Sequence, residues 1–363
     1  MSEISKFRGV FKNRRLILNT LPFIIAAIIF IFVRLAVKNP QIVETSYSEI
    51  IYPHIARALS LLSGFFKFSL WDVFWAIFGL LIITGLVAVI IKKLKFWKYL
   101  LRTMQSIAIL YTAFYLLWGY NYFRPDIGTR LGWENYKPDE AVFRQILDTL
   151  IIKTNLCRVT VSNSDYSSLN NLIEEAFIRN RSELKINFPA LKMRPKTMLF
   201  SATAVKLGLS GYFGPFTNEV NLNSKLLPFD YPFSLAHEVA HKYGVANEAE
   251  ANLVAFIVCT SSEDQRLLYS GYMMLLLYFL NDAEKLSDYM TFIKKIDRLV
   301  IDDLRFRREY YEKLQNKTLE KVSSAANDAY LKANHIKTGI KNYNHVVALT
   351  IGWYRNSGFL DRK

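Results

Sequence analysis

Phe233-Ser234-Leu235-Ala236-His237-Glu238-Val239-Ala240-His241-Lys242-Tyr243-Gly244 is the stretch on which the reading of this chain turns. Residues i and i+4 of a helix share one face about one turn apart, so His237 and His241 can reach the same zinc ion. Glu238 follows the first imidazole directly, which places it beside a metal-bound water rather than on the metal. Zinc brings the pKa of such a water to about 7, and a carboxylate there takes its proton as hydroxide attacks a carbonyl. The chain has five histidines in 363 residues. Two of them reach HExxH spacing by accident in roughly fewer than one case in a hundred, given the false-positive risk of so short a motif.

A catalytic zinc site takes three protein ligands and keeps one position open. Gly244 suits the end of the first helix, Asn247 caps a second, and Glu248, Ala249, Glu250, Ala251 and Asn252 open it. Glu248 and Glu250 are the two candidates for the third ligand. Asn247 with Glu250 three residues later reads as a capping box, which gives Glu250 a structural task. Glu248 shares its face with Ala251, Asn252, Ala255 and Cys259, all small or polar, so that face can approach the His237 helix closely. Glu248 is therefore the favoured ligand, Glu250 the reserve, and Asn252 the residue that orients a ligand.

Upstream lie three apolar runs. Between Arg15 and Arg34 there are 18 uncharged residues, between Asp72 and Lys92 there are 19, and between Arg102 and Arg124 there are 21. Each approaches the ~20 residues a helix needs to cross a bilayer. The runs predict membrane helices over about 16–37, 72–91 and 103–123, with Trp71, Trp75, Trp97 and Trp118 near their ends, where indole rings favour the headgroup layer. Arg34 and Lys38 stand where a cleaved signal peptide would carry small residues, and two further runs follow, so the first run reads as an anchor.

Charge placement orients the spans. The formal net charge is +15, and residues 1–15 together with 92–102 supply +9 of it. The 38–72 segment balances Lys38, Arg57 and Lys67 against Glu44, Glu49 and Asp72. By the positive-inside rule, residues 1–15 form a basic cytoplasmic N-terminus, 16–123 a membrane domain, and 124–363 a domain outside the cell membrane. Ile50, Ile51, Ile55, Ala58, Leu59 and Leu62 recur at helical spacing, which predicts an amphipathic helix on the outer leaflet. Because topology accounts for the basic clusters, nucleic acid is not an expected partner. With 52% apolar and 21% charged residues the chain is not disordered. Cys157 and Cys259, 102 residues apart, indicate neither a disulfide scaffold nor a cysteine metal site.

The region after Arg124 predicts an α+β, mostly helical domain. Asp139 caps a helix bearing Ile146, Leu147, Leu150 and Ile151, and a second covers about 166–182. Residues 195–223, glycine-rich and aromatic, are the one convincing strand region. Leu267 to Leu280, a 14-residue, mainly apolar run, is too short to span comfortably and reads as a buried helix.

HExxH followed by a helix bearing Glu248 and Asn252 resembles the gluzincin metallopeptidases. The whole layout is similar to a bacterial three-span membrane family, described as a domain of unknown function and read as zincin-like. That resemblance rests on Trp118-Gly119-Tyr120-Asn121-Tyr122, Pro215-Phe216-Thr217-Asn218-Glu219, the 237–252 run and Asn327-Asp328-Ala329-Tyr330-Leu331-Lys332-Ala333-Asn334. It departs from better-known gluzincins in having only six residues between His241 and Glu248. The motif and the resemblance lead to the expectation of a membrane-anchored zinc metallopeptidase with one zinc per chain, acting on a peptide or protein near the bilayer. Gly211 to Asn223 serves either as a substrate-binding edge strand or as a core hairpin. Tyr330 is a candidate donor to the oxyanion, with Lys332, His335, Tyr343 and His345 as weaker ones. The competing expectation is a catalytically silent zincin-like module that binds or senses at the cell surface. Glu238 separates the two, because a silent module has no use for a base between two ligands. A permease is disfavoured, since the uncharged runs of the three spans offer no acidic or basic residue inside the membrane for a coupling path.

Overall fold

The computed structural model describes residues 3–133, 139–162, 166–188, 192–334 and 345–357, and it is mostly helical. Three helices are long and apolar enough to cross a membrane: Ile17–Lys38 within the longer helix Glu3–Lys38, then Leu70–Ile90 and Phe96–Leu117. Leu80, Leu81 and Ile83 of the second span are all more than half exposed. A helix that is apolar all round and yet uncovered suits hydrocarbon rather than water, so the chain is consistent with a multi-pass membrane protein.

The third span is shifted from the expected 103–123. It starts at Phe96, taking in Lys98 and Arg102, and ends at Leu117, after which Gly119–Phe123 forms a tight 3-10 turn. Long cationic side chains in the first two turns can reach headgroup level while their stems stay in apolar surroundings, so counting uncharged residues misjudges that end. The first and third spans pack together through Ile29, Val33, Ala36 and Tyr115, joined by Phe123 of the tight turn, and Gln105 donates to the Asn19 carbonyl at 3.0 Å. The connection between the first two spans is helical, as expected, running through a π-helical stretch Val43–Ile51 into Tyr52–Ser63. Its buried face, Tyr52 and Ala56, lies against Trp118 and Ala246, while Ile50, Leu61 and Leu62 stay exposed.

The remainder of the chain has one continuous apolar core. Helices Glu140–Cys157, Tyr166–Asn180, Tyr231–Lys242, Glu248–Thr260, Gln265–Ala283 and His345–Ser357 all contribute to it. Leu267, Leu275, Leu276 and Phe279 are fully buried, so the apolar run of Gln265–Ala283 is core. The 195–223 region forms a three-stranded sheet: β1 (Lys196–Thr197), β2 (Gly211–Gly214) and β3 (Glu219–Leu222), in the order β1-β3-β2. A short helix, Ser201–Lys206, interrupts the expected strand region. β1 runs parallel to β3 and β2 antiparallel to it, with Tyr212 opposite Asn221.

This sheet is bolted to the second span. Glu219, in a buried ion pair with Lys196, accepts from the backbone of Leu70 at 3.2 Å and of Trp71 at 2.9 Å. These are among the first N–H groups of the span, which have no partner within the helix and favour a negative charge. Asp72 in turn accepts from Leu199 N at 2.8 Å and from the Tyr212 hydroxyl. The sheet edge thus sits at the end of a membrane-type helix.

Candidate metal centre

His237 and His241 lie on Tyr231–Lys242, a helix buried along most of its length that starts with Pro232 in its first turn and is ended by Gly244 at φ +84°. Three elements near the spans hold its last turn. Trp118 Nε1 donates to the His241 carbonyl at 2.9 Å, the Tyr52 hydroxyl to that of Lys242 at 2.6 Å, and Arg124 Nη1 to that of Gly244 at 2.9 Å. A helix leaves its final carbonyls without partners within the helix, and the Tyr52 hydroxyl satisfies that of Lys242; the His241 carbonyl also accepts from Gly244 N at 3.0 Å. Arg124 is itself fixed by a buried bidentate pair with Glu44 at 2.6 and 2.7 Å. Asn218, in a left-handed turn conformation at φ +52°, donates to the Tyr52 hydroxyl at 3.2 Å.

The second helix, Glu248–Thr260, is capped by Asn247, whose side chain accepts from Ala249 N at 2.9 Å and Glu250 N at 3.2 Å. It brings Glu248 against the two imidazoles. The His237 and His241 Nε2 atoms are 3.0 Å apart, and Glu248 Oε2 lies 3.2 Å from the first and 3.4 Å from the second. His241 Nδ1 is 2.7 Å from the Val245 carbonyl, which can only accept, so Nδ1 carries a proton and Nε2 is the ring nitrogen turned toward the cluster. His237 Nδ1 is buried with no hydrogen-bond partner among the described residues. Among those residues, His237, His241 and Glu248 are the group of three that could hold a metal ion. Burial opposes ionisation of both Glu248 and His241. Their mutual attraction outweighs it, holding the Glu248 carboxyl well below the usual range and raising His241 to about 9.

Glu238 is buried and lines the same cavity, of about 1240 Å³, into which the three donors open. Burial, assisted by the charge of Glu248, raises its carboxyl, while the two imidazoles pull it down. Gly211 of β2 makes room for it: a Cβ there would stand 2.8 Å from Glu238 Cγ.

Glu250 has no part in the cluster. Its carboxylate accepts from Ile127 N at 3.0 Å and Arg130 Nη2 at 2.7 Å, forming a buried ion pair. The expected capping box is therefore only half present: Asn247 caps, but the Glu250 side chain is drawn away by a guanidinium. Asn252 lines the cavity and donates to the Tyr278 hydroxyl at 3.2 Å, not to a candidate ligand. Tyr330 lines the cavity as well, with its oxygen accepting from the Tyr122 hydroxyl at 3.2 Å. The residue is 42% exposed, but desolvation of its hydroxyl end and the Glu248 charge both oppose ionisation, so it stays a donor. Lys332 is exposed and paired with Asp328, and His345 opens the last helix; His335 and Tyr343 lie outside the described residues.

Sequence reasoning missed the groups that position the site. Trp118 and Arg124 carried a signal, a tryptophan and an isolated arginine just after an apolar run. Nothing local marked the close approach of Gly211 to Glu238 or the pairing of Arg130 with Glu250, which joins residues 120 positions apart.

No curated protein matches this chain, and no solved structure does. A family model described as "Protein of unknown function (DUF3810)" matches residues 47–351, most of the chain, and the protein belongs to that family.

Proposed function

We propose that this protein is a membrane-anchored, zinc-dependent peptidase of the zincin type, with His237, His241 and Glu248 as ligands and Glu238 as general base. The observation that carries this reading is the spacing of the three donors, 3.0, 3.2 and 3.4 Å. Ligands at 2.0–2.1 Å from a tetrahedral zinc are separated by about 3.3 Å. Two imidazoles and one carboxylate are also a donor set used by catalytic zinc, and the fourth side faces the cavity that Glu238 lines. When bound, zinc supplies Lewis acidity, polarising a carbonyl and lowering the pKa of water to about 7.

The chain's own groups do the rest. Glu238 takes a proton from the attacking water and delivers it to the leaving amine. Tyr330 donates toward the oxygen on which negative charge develops. β2 offers an edge to substrate: Asn223 N donates to Ser210 O at 2.9 Å, so by antiparallel alternation the main-chain groups of Gly211 and Phe213 point away from β3. An extended peptide can add to that edge. With the basic N-terminus and the 92–102 region cytoplasmic, the site lies outside the cell.

The test is peptide hydrolysis by the full-length protein in detergent. Glu238→Gln is expected to retain metal and lose about 10²- to 10⁴-fold in rate. Equal rates for the wild type and this variant would overturn the reading.

A further inference from the structure

The cavity that holds Glu238 and the three donors does not end at the sheet. It continues between the second and third spans, where its walls are Trp71, Trp75 and Phe78 on one helix and Ile107, Leu110 and Phe114 on the other. The first set recurs at i, i+4 and i+7, the second at i, i+3 and i+7, so each is a single stripe about 10 Å long. Below these stripes the spans are joined, with the Tyr99 hydroxyl donating to the Ile82 carbonyl at 3.2 Å. Trp75 and Ile107 remain 40% and 52% exposed. The two helices thus form a cleft, closed toward the 92–95 turn and open near the site, with apolar walls at the depth of the spans.

From these observations we infer that the substrate is an apolar, membrane-inserted polypeptide segment, which enters sideways between the second and third spans and is cut at its membrane end. This rests on the peptidase reading above. A main chain is favoured over an acyl chain because the cleft is continuous with a hydrogen-bonding edge. Gly211 of β2 borders Glu238, and Phe216, just beyond β2, packs on Trp71 at 5.2 Å and Phe74 at 5.5 Å between ring centroids. The edge therefore leads from the base to the mouth of the cleft. An acyl chain would meet the apolar walls but leave Gly211 and Phe213 without partners, and a polar soluble peptide would gain nothing from the walls.

The experiment uses the full chain in lipid nanodiscs and three probes sharing one cleavable sequence: a soluble peptide, a palmitoylated peptide, and a peptide continued into a Leu/Ala membrane segment of about 20 residues. The membrane-segment probe is expected to be cut with kcat/KM about tenfold or more above the others, because remote binding energy is used at the reacting bond. Leu110→Trp, which fills the cleft, should erase that preference. In a Glu238→Gln background, a photo-crosslinking residue at position 107 should capture the same probe. Equal cutting of the soluble and membrane-segment probes without capture overturns the inference and leaves the peptidase reading standing. Preference for the palmitoylated probe makes the occupant an acyl chain and also overturns it. Capture without hydrolysis of any probe supports the cleft as a polypeptide site and overturns the peptidase reading. Neither capture nor hydrolysis overturns both.

Discussion

Glu248 and Glu250 stand two residues apart on one buried helix and lead different lives. Glu248 faces two imidazoles and a cavity; Glu250 faces Arg130 and the backbone of Ile127. About 200° of rotation around the helix separates them. Burial pushes both carboxyls up, and at Glu250 that remains the net direction, whereas the imidazoles carry Glu248 below its ordinary range. Composition therefore says little about which acid is chemical and which is structural. The partner that each face meets decides it.

The sharpest way to break this comparison is to neutralise the structural acid. Glu250→Gln leaves the Arg130 guanidinium buried without a counter-charge, and removing one partner of such a pair costs about 3–5 kcal/mol. Thermal unfolding of the full chain in detergent should register a large loss, with metal content per folded molecule unchanged. The double variant Arg130→Met, Glu250→Met should recover most of the loss, since apolar groups of similar volume can replace a buried pair. If Glu250→Gln instead unfolds like the wild type and loses metal, the two faces have been assigned the wrong way round.

A smaller effect is expected on the chemical side. Gly211→Ala places a methyl 2.8 Å from Glu238 Cγ, so the whole buried side chain has to shift. Some stability should be lost, but less than at Glu250, and a carboxylate displaced by about 1 Å can cost on the order of 10²-fold in rate. A normal kcat in this variant would show that Glu238 works in another position. The smallest change belongs to Asn252→Ala, which removes a bond to the Tyr278 hydroxyl and touches no donor. It should lower metal affinity by less than the 10- to 100-fold typical of groups that orient ligands directly, as equilibrium dialysis can measure.

What was legible in the sequence follows from the range of the forces involved. The HExxH spacing, the Asn247 cap and the three apolar helices are local patterns, written within one helix or one turn. The third helix begins and ends earlier than its uncharged run because Lys98 and Arg102 fit within its first two turns, and because the tight turn at Gly119–Phe123 looks as apolar as a helix. The small, polar face of Glu248, Asn252 and their neighbours pointed to close approach of the two site helices. The task of Glu250 could not be read in the same way, since its partner Arg130 arrives from 120 residues upstream and only folding brings it near. The clamp of Tyr52, Trp118 and Arg124 on the site helix is likewise non-local, with separations of 120 to 190 residues.

Metal content tests the central claim most directly. Full-length wild type, His237→Ala, His241→Ala, Glu248→Gln and Glu238→Gln, each dialysed against the same low free zinc, should separate into two groups. The wild type and Glu238→Gln should hold about one zinc per chain. The two histidine variants should hold none, and Glu248→Gln should bind more than about 100-fold more weakly, beyond what groups outside the ligand set produce. Equal zinc in all five proteins, or none in the wild type, would contradict the account.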